Sequence, residues 1–271
     1  MIKVLENLKT MSTECINEKL GDKIQVVSEK SKYKAKDNEI TGIILDTRKL
    51  DLTKFPKLKV ISRVGVGKDN IDLKYCKKKK IKVCITPCDE LTNAVAEFTV
   101  SQILILLRKE ARGQNLYGKA IGIIGYGRIG MRIEFLLGPF VKNNVLVNDI
   151  VCEGKPGYST KEILIKSSDI IIITVSGNDR IIGEEEIRLM KRGTILVNMA
   201  RQNCIDEIAV HKAVKDNTLY GVITDVNPGI PFGRSYDWRI MKSAHVASST
   251  YEARERMETL ALENLIEGLK I

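Results

Sequence analysis

The sequence predicts an α/β fold in which parallel sheets are covered by helices on both faces. Short apolar runs alternate with segments of helical spacing from Ile2 to the C-terminus, the pattern of strands joined by crossover helices. The stretch Lys119 to Asp149 reads strand, glycine turn, helix, strand, acidic residue. A chain of 271 residues that is 44% hydrophobic is long enough for a sizeable core in one or two domains.

Taken in order, residues 2–6 read as a strand, 11–20 as a helix and 23–27 as a strand. Ile40 to Leu45 is a strand ending at Asp46-Thr47-Arg48, and residues 58–63 form a fourth that runs into Val64-Gly65-Val66-Gly67. Asp69 is expected to cap a helix through about Lys79, and 81–85 is a fifth strand. These first eighty-odd residues read as an α/β unit of their own. Thr86-Pro87 breaks the chain, and Thr92 to Lys109 is a long helix with Val95, Phe98, Thr99, Gln102, Ile103 and Leu106 on its apolar face, expected to link two domains. A polar turn over 112–118 leads to the glycine unit. Beyond it the reading is helix 159–166, strand 169–175, helix 184–190, strand 193–197, helix 206–214, strand 219–225 and a short strand 243–246. A terminal helix, 251–268, carries Met257, Leu260, Ala261, Leu265 and Leu269 on one face and is expected to return to the first unit.

The glycine unit has a physical reading of its own. Ala120 to Ile124 is a buried-type strand, followed by Gly125-Tyr126-Gly127-Arg128-Ile129-Gly130 and a helix with Ile133, Leu136 and Leu137. Gly125 permits the tight turn, Gly127 lets the backbone approach a pyrophosphate, and Gly130 lets helix and strand pack closely. The helix N-terminus offers N–H groups and partial positive charge to phosphates. Asp149, ending the next strand, accepts from a ribose hydroxyl. It favours NAD over NADP, because Ile150-Val151-Cys152 supplies no Arg for a 2′-phosphate.

Composition narrows the partners. Net charge is +10 and aromatics are 5%, with none interleaved among basic residues as a nucleic-acid stacking platform needs. The Lys77–Lys80 run closes a predicted helix, where cations suit the dipole. No nucleic-acid partner is expected. No unbroken apolar run reaches the length of a membrane span, and Met1-Ile2-Lys3-Val4 leads directly into a strand without a signal peptide. Six scattered Cys and two His give no metal site, and free thiols point to a reducing, cytoplasmic setting.

Ligands of open α/β sheets bind beyond the carboxyl ends of the strands. The residues expected there are Arg63 with the loop Val64 to Gly67, Asn198-Met199-Ala200-Arg201, Asp225, and His245 with Ala247-Ser248-Ser249. Glycine-rich backbone offers N–H groups to a carboxylate, Arg holds and polarises a keto acid, and His is the side chain suited to moving a proton near neutral pH.

On these residues the chain resembles the D-isomer-specific 2-hydroxyacid dehydrogenases, the group that includes phosphoglycerate and glycerate dehydrogenases. The similar stretches are LKVISRVGVGKDNID (58–72), NAVAEFTVSQILILLRK (93–109), YGKAIGIIGYGRIG (117–130), SSDIIIITV (167–175), KRGTILVNMARQNCIDE (191–207) and AHVASSTYEA (244–253), in the family's order. The resemblance implies two doubly wound Rossmann-like domains with a cleft between them: a substrate domain of residues 1–88 plus 249–271 and an NAD-binding domain of 89–248. It implies that Arg201 binds substrate and that His245 is the acid/base. Arg63, Val64, Gly65, Val66 and Gly67 would bind the substrate carboxylate. Gly125, Gly127, Arg128, Ile129, Gly130, Asp149, Val175, Ala200 and Asp225 would contact NAD, with Asp225 on the nicotinamide amide. A homodimer is implied. With Arg48 and Arg63, the net charge points to a small anionic 2-hydroxy or 2-keto acid: glycerate, hydroxypyruvate, glyoxylate or a phosphorylated relative.

The chain departs from the family at several positions. The Glu that hydrogen-bonds the acid/base His is replaced by Ile230, with Asp237 as a substitute carboxylate. Thr174 and Ser176 stand in the family's His-x-Pro segment, Gln202 replaces the Gly after the Arg, and Ala244 replaces the Pro before the His. The family's segment between the long helix and the glycine turn is much reduced, at 110–118. Two readings stay open: an enzyme, or an NAD-binding homologue of impaired turnover serving as sensor or partner subunit.

Overall fold

A computed structural model describes residues 2–6, 24–28, 37–110, 112–142, 144–152, 154–226 and 237–270. The helix expected over 11–20 and the position of Ile230 lie outside them. The chain divides into two compact units, Met1–Leu91 with Ser249–Ile271, and Thr92–Ser248.

The first unit is a parallel sheet of five strands: β1 (Ile2–Glu6), β2 (Ile24–Ser28), β3 (Ile40–Leu45), β4 (Val60–Arg63) and β5 (Lys82–Ile85), in the order β2-β1-β3-β4-β5. Helix α1 (Leu73–Lys79) joins β4 to β5, and its Cys76 packs in a core with Ile43, Ile61 and Phe55. Its N-cap is Asp72, whose carboxylate accepts from the Tyr75 N–H at 2.9 Å. This corrects the expected start at Asp69: residues 68–71 form a turn closed by Ile71 N–H on the Lys68 carbonyl, at 3.0 Å, and that turn competes with helix for the same backbone.

The second unit begins within α2 (Asp89–Arg108) and continues through β6 (Ile121–Ile124), α3 (Arg128–Val141), β7 (Val145–Asn148), α4 (Lys161–Ser167), β8 (Ile170–Ile173) and α5 (Glu184–Leu189). It ends with β9 (Thr194–Asn198), α6 (Glu207–Lys215), β10 (Leu219–Thr224) and β11 (Ile240–Lys242). All six strands are parallel, in the order β11-β10-β9-β8-β6-β7. Beyond β7, Tyr158 makes one isolated parallel bridge to Val147. Both faces are buried, so strands alternate between two cores. Ile170 and Ile172 pack with Ile103, Leu107, Ile133 and Leu137 of α2 and α3, while Ile171 and Ile173 pack with Leu164, Ile187 and Val210 of α4, α5 and α6. That alternation is the physical meaning of the run of four Ile in β8: with water excluded from both faces there is no polar side to pattern.

Helix α2 shows what unbroken runs in the sequence miss. Its 20 residues are long and apolar enough to cross a membrane by length and composition alone. Half of its apolar stretch is buried inside the protein, however, with Ile103, Leu106 and Leu107 fully enclosed, so here the apolar face belongs to a core helix. The last strand also differs from expectation. β11 is Ile240–Lys242, and the predicted strand 243–246 is a turn, because His245 takes a left-handed backbone (φ 56°) that no strand permits. The C-terminal helix α7 (Tyr251–Leu269) packs on β3, β4 and β5 of the first unit, capped by Thr250, whose hydroxyl accepts from the Ala253 N–H.

Candidate functional site

In the second unit the loops after all six strands emerge along one edge. The chain turns outward from β6 to β7 and resumes on the other side of β6 with β8, so the switch point of the sheet lies between β6 and β8. Gly125 stands there. Its φ is 95°, and a side chain would fall 2.5 Å from the Val175 nitrogen. The Thr174 hydroxyl donates to the Gly125 carbonyl at 2.6 Å, and its N–H donates to the Ile124 carbonyl at 2.8 Å. Thr174 is thus a clamp on the glycine turn, and Val175 forms its wall.

Gly127 is the N-cap of α3. No side chain caps the helix, and the space where a Cβ would stand is open to 4 Å. Gly130 is packed so tightly that a Cβ would lie 2.4 Å from the Gly125 carbonyl oxygen. Ile129 packs into the core, and the exposed Arg128 reaches the Thr92 hydroxyl with its Nε at 3.4 Å. Each glycine therefore does what a pyrophosphate turn requires: sharp reversal, open approach over uncapped N–H groups, and helix–strand contact. Asp149 follows β7. Its Oδ2 accepts from the Tyr126 N–H at 2.6 Å and its Oδ1 from the Val151 N–H at 3.1 Å, which fixes the carboxylate while leaving lone pairs for a hydroxyl donor. Tyr126 is itself tied down, since its phenol donates to Glu134 of α3; burial first, and that carboxylate next, push the phenol up to about 12.

Beyond β9, Arg201 sits at the head of a short turn with its Nη1 donating to the Ala200 carbonyl at 2.8 Å. Beyond β10, Asp225 is buried. Beyond β11 stands the exposed His245. Arg201 and His245 thus flank the end of β10 from either side. Asp237 is not placed to serve His245. Arg239 binds both of its oxygens, holding the carboxyl below the usual range, and reaches Asn217 just before β10 begins. His245 lies past the other end of that six-residue strand, a span of about 20 Å.

In the first unit the loop after β4 is partly engaged from within. The Val64 N–H donates to the Leu45 carbonyl at 2.8 Å, and the Gly65 N–H to the Thr86 hydroxyl at 2.6 Å. Of the loop's four amides, those of Val66 and Gly67 have no hydrogen-bond partner among the described residues. The Arg63 guanidinium curls over Gly65, where a Cβ would meet its Nη1 at 1.9 Å. Asn70 donates to the carbonyls of Asp46 and Arg48 at 2.9 and 2.8 Å, tying the loop after β3 to the loop after β4. Sequence reasoning missed the holding roles of Thr86, Asn70 and Thr174, because each acts through side-chain bonds to backbone distant in sequence. Thr86 and Thr174 share one signal, a polar residue just past an apolar strand.

Comparison with known proteins follows the same lines. A family described as "D-isomer specific 2-hydroxyacid dehydrogenase, NAD binding domain" matches residues 90–247. A glyoxylate reductase of Thermofilum pendens is 35% identical over 250 residues, covering 79% of this chain and 73% of that protein. A glyoxylate reductase of Pyrococcus furiosus is 31% identical over 280 aligned residues, covering 89% and 82%. Among solved structures, D-lactate dehydrogenase from Aquifex aeolicus, complexed with NAD and lactic acid, is similar with a TM-score of 0.84 and 25% identity, covering 99% of this chain and 95% of that one. The fold is shared as well with an NAD-bound 3-phosphoglycerate dehydrogenase of Entamoeba histolytica, at a TM-score of 0.86 and 24% identity over 99% and 95%.

Proposed function

The chain belongs to the D-isomer-specific 2-hydroxyacid dehydrogenase family, and from that membership we propose that it reduces a small anionic 2-keto acid, glyoxylate or a near relative, with NADH. It is an NAD-dependent oxidoreductase acting on a CH–OH group. The observation that carries the substrate reading is the order of groups along one sheet edge: glycine turn, Asp149, Val175, Arg201, Asp225 and His245 follow the six strands of one parallel sheet.

The residues fit the cofactor. The uncapped first turn of α3 and the open space over Gly127 would take the pyrophosphate, and Asp149 the ribose hydroxyls. The exposed Ile150 and Val151 beside it would meet the adenine. When bound, the nicotinamide supplies the hydride. Arg201 is assigned to the substrate carboxylate and carbonyl, where a planar fork of donors fits two oxygens at once. His245 is assigned the proton that goes to the carbonyl oxygen. In the first unit, the Val66 and Gly67 amides with Arg63 and Arg48 are assigned to an anionic group.

A second reading, NAD binding with reduced turnover, rests on Ile230 and on the engagement of Asp237 with Arg239. One assay addresses both. NADH and NADPH are each mixed with glyoxylate, hydroxypyruvate, pyruvate and a phosphorylated keto acid, and cofactor absorbance is followed from acid to neutral pH. Turnover with NADH well above NADPH, rising toward acid and rising again in Ile230→Glu, supports the reductase. NADH binding with no turnover of any acid in either form supports the second reading.

We extend the proposal to a homodimer. Met131 and Phe135, one turn apart on α3, stand 44% and 68% exposed, an apolar pair that a second copy would cover. Light scattering at micromolar concentration is expected to give twice the chain mass, and Phe135→Glu to shift it toward the monomer. A monomeric wild type removes this part.

A further inference from the structure

Two buried polar side chains bond the turns that carry the proposed reacting groups. Asn198, the last residue of β9, is fully buried; its Oδ1 accepts from the Ala200 N–H at 3.1 Å and its Nδ2 donates to the Arg201 carbonyl at 2.8 Å. It therefore closes the turn from which the Arg201 side chain springs. Asp225, just past β10, is 3% exposed. It accepts from the Ser243 hydroxyl at 2.5 Å, the Val246 N–H at 2.8 Å and the Ala247 N–H at 2.9 Å. The two are neighbours, since the Asp225 N–H donates to the Asn198 carbonyl at 3.4 Å.

His245 is the residue the Asp225 bonds bend into place. Five described non-glycine residues have positive φ. Lys80, Lys142, Asn217 and Lys270 close helices, where that conformation is common. His245 follows a strand. The N–H groups of the next two residues converge on one carboxylate, the concave arrangement of successive amides that binds anions. A glycine would adopt this backbone freely; the chain places His there and holds it with a buried charge. Strain retained at one residue by its surroundings points toward function.

We propose that Asn198 and Asp225 are the positioning residues of the site, Asn198 for Arg201 and Asp225 for His245, coupled through their shared strand-end bond. This rests on the reading of Arg201 and His245 given above and goes beyond the expected contact of Asp225 with the nicotinamide amide. Asp225→Asn keeps the shape but has one acceptor oxygen where two were used, and its NH2 faces an N–H.

Two measurements test it. In the cofactor-free protein, NMR hydrogen exchange at the Val246 and Ala247 amides is expected to quicken at least about tenfold in Asp225→Asn, with the amides of β9 unchanged. This outcome stands whether or not the protein turns over any keto acid, so failure of the clamp and failure of the proposed reaction are separable. In turnover, Asp225→Asn is expected to lose about a hundredfold in kcat with KM for NADH within about threefold. The loss should persist with the 3-acetylpyridine analogue of NADH, whose ring has no amide N–H. Asn198→Ala should instead raise KM for the keto acid and leave NADH affinity alone. If Asp225→Asn does not fold, Ser243→Ala removes one of the three donors, and a several-fold fall in kcat with partly quickened exchange supports the proposal. Unchanged exchange overturns it, and so does a kinetic loss that vanishes with the acetylpyridine analogue, which would make Asp225 a nicotinamide contact alone.

Discussion

His245→Gln is expected to lower kcat for keto-acid reduction by roughly 10²–10⁴-fold, the range lost when a positioned general acid is removed. Gln keeps a polar side chain of similar reach on the same exposed turn but has no proton to give. NADH affinity is expected to hold within about threefold, because the glycine turn and Asp149 follow β6 and β7 while His245 follows β11, at the other margin of the sheet. Arg201→Lys is expected to show a different pattern. A point charge replaces a fork that binds two oxygens, so KM for the keto acid rises and kcat/KM falls. Steady-state kinetics with a fluorescence titration of NADH separate the terms. A variant that keeps the wild-type kcat, or one that loses NADH affinity in step with rate, would remove His245 from the reaction.

How much of this was legible in the sequence differs by element. The βαβ unit around Gly125 was readable almost to the residue, since its information is local: an apolar strand, glycines at fixed spacing and an acid at the next strand end. The strand-end positions of Arg201 and Asp225 were readable for the same reason, with the resemblance supplying the roles proposed for them and for His245. What escaped was set by distant contacts. Residues 243–246 alternate like a strand, yet Asp225, eighteen residues before Ser243, draws them into a turn. Asp69 and Asp72 are equally good caps by type, and only the turn over 68–71 decides between them. Thr174 looked like the loss of a family His, whereas its hydroxyl holds Gly125. Apolar periodicity records burial; it does not record which buried polar atom meets which backbone group, and the fine geometry of the site is made of those meetings.

The same limit explains a charge cluster in the first unit, where the largest stability effect is expected. Arg254 of α7 bonds Glu258 at 2.7 Å and reaches Asp46, at the end of β3, at 3.5 Å. The three side chains are 13%, 0% and 5% exposed. In the sequence, Arg254 and Glu258 look like an ordinary surface pair one turn apart, worth a few tenths of a kcal/mol. Enclosed, the pair behaves differently: taking away the cation withdraws the guanidinium from two carboxylates held almost wholly out of water. Arg254→Ala is therefore expected to destabilise the first unit by about 3–5 kcal/mol. Part of the cost is the buried charge left at Glu258, so adding Glu258→Leu to Arg254→Met should recover part of it, because well-packed apolar replacements of buried ion pairs are often close to neutral, while Asp46 still loses Arg254. The probe matters. The sole Trp of the chain, Trp238, lies in the second unit, so its fluorescence need not follow loss of the first. Far-UV circular dichroism during urea unfolding should show an early transition in Arg254→Ala that moves to higher urea in the double variant. If Arg254→Ala unfolds like the wild type by that measure, the cluster is solvated in solution and its enclosure contributes nothing to holding α7 on the sheet.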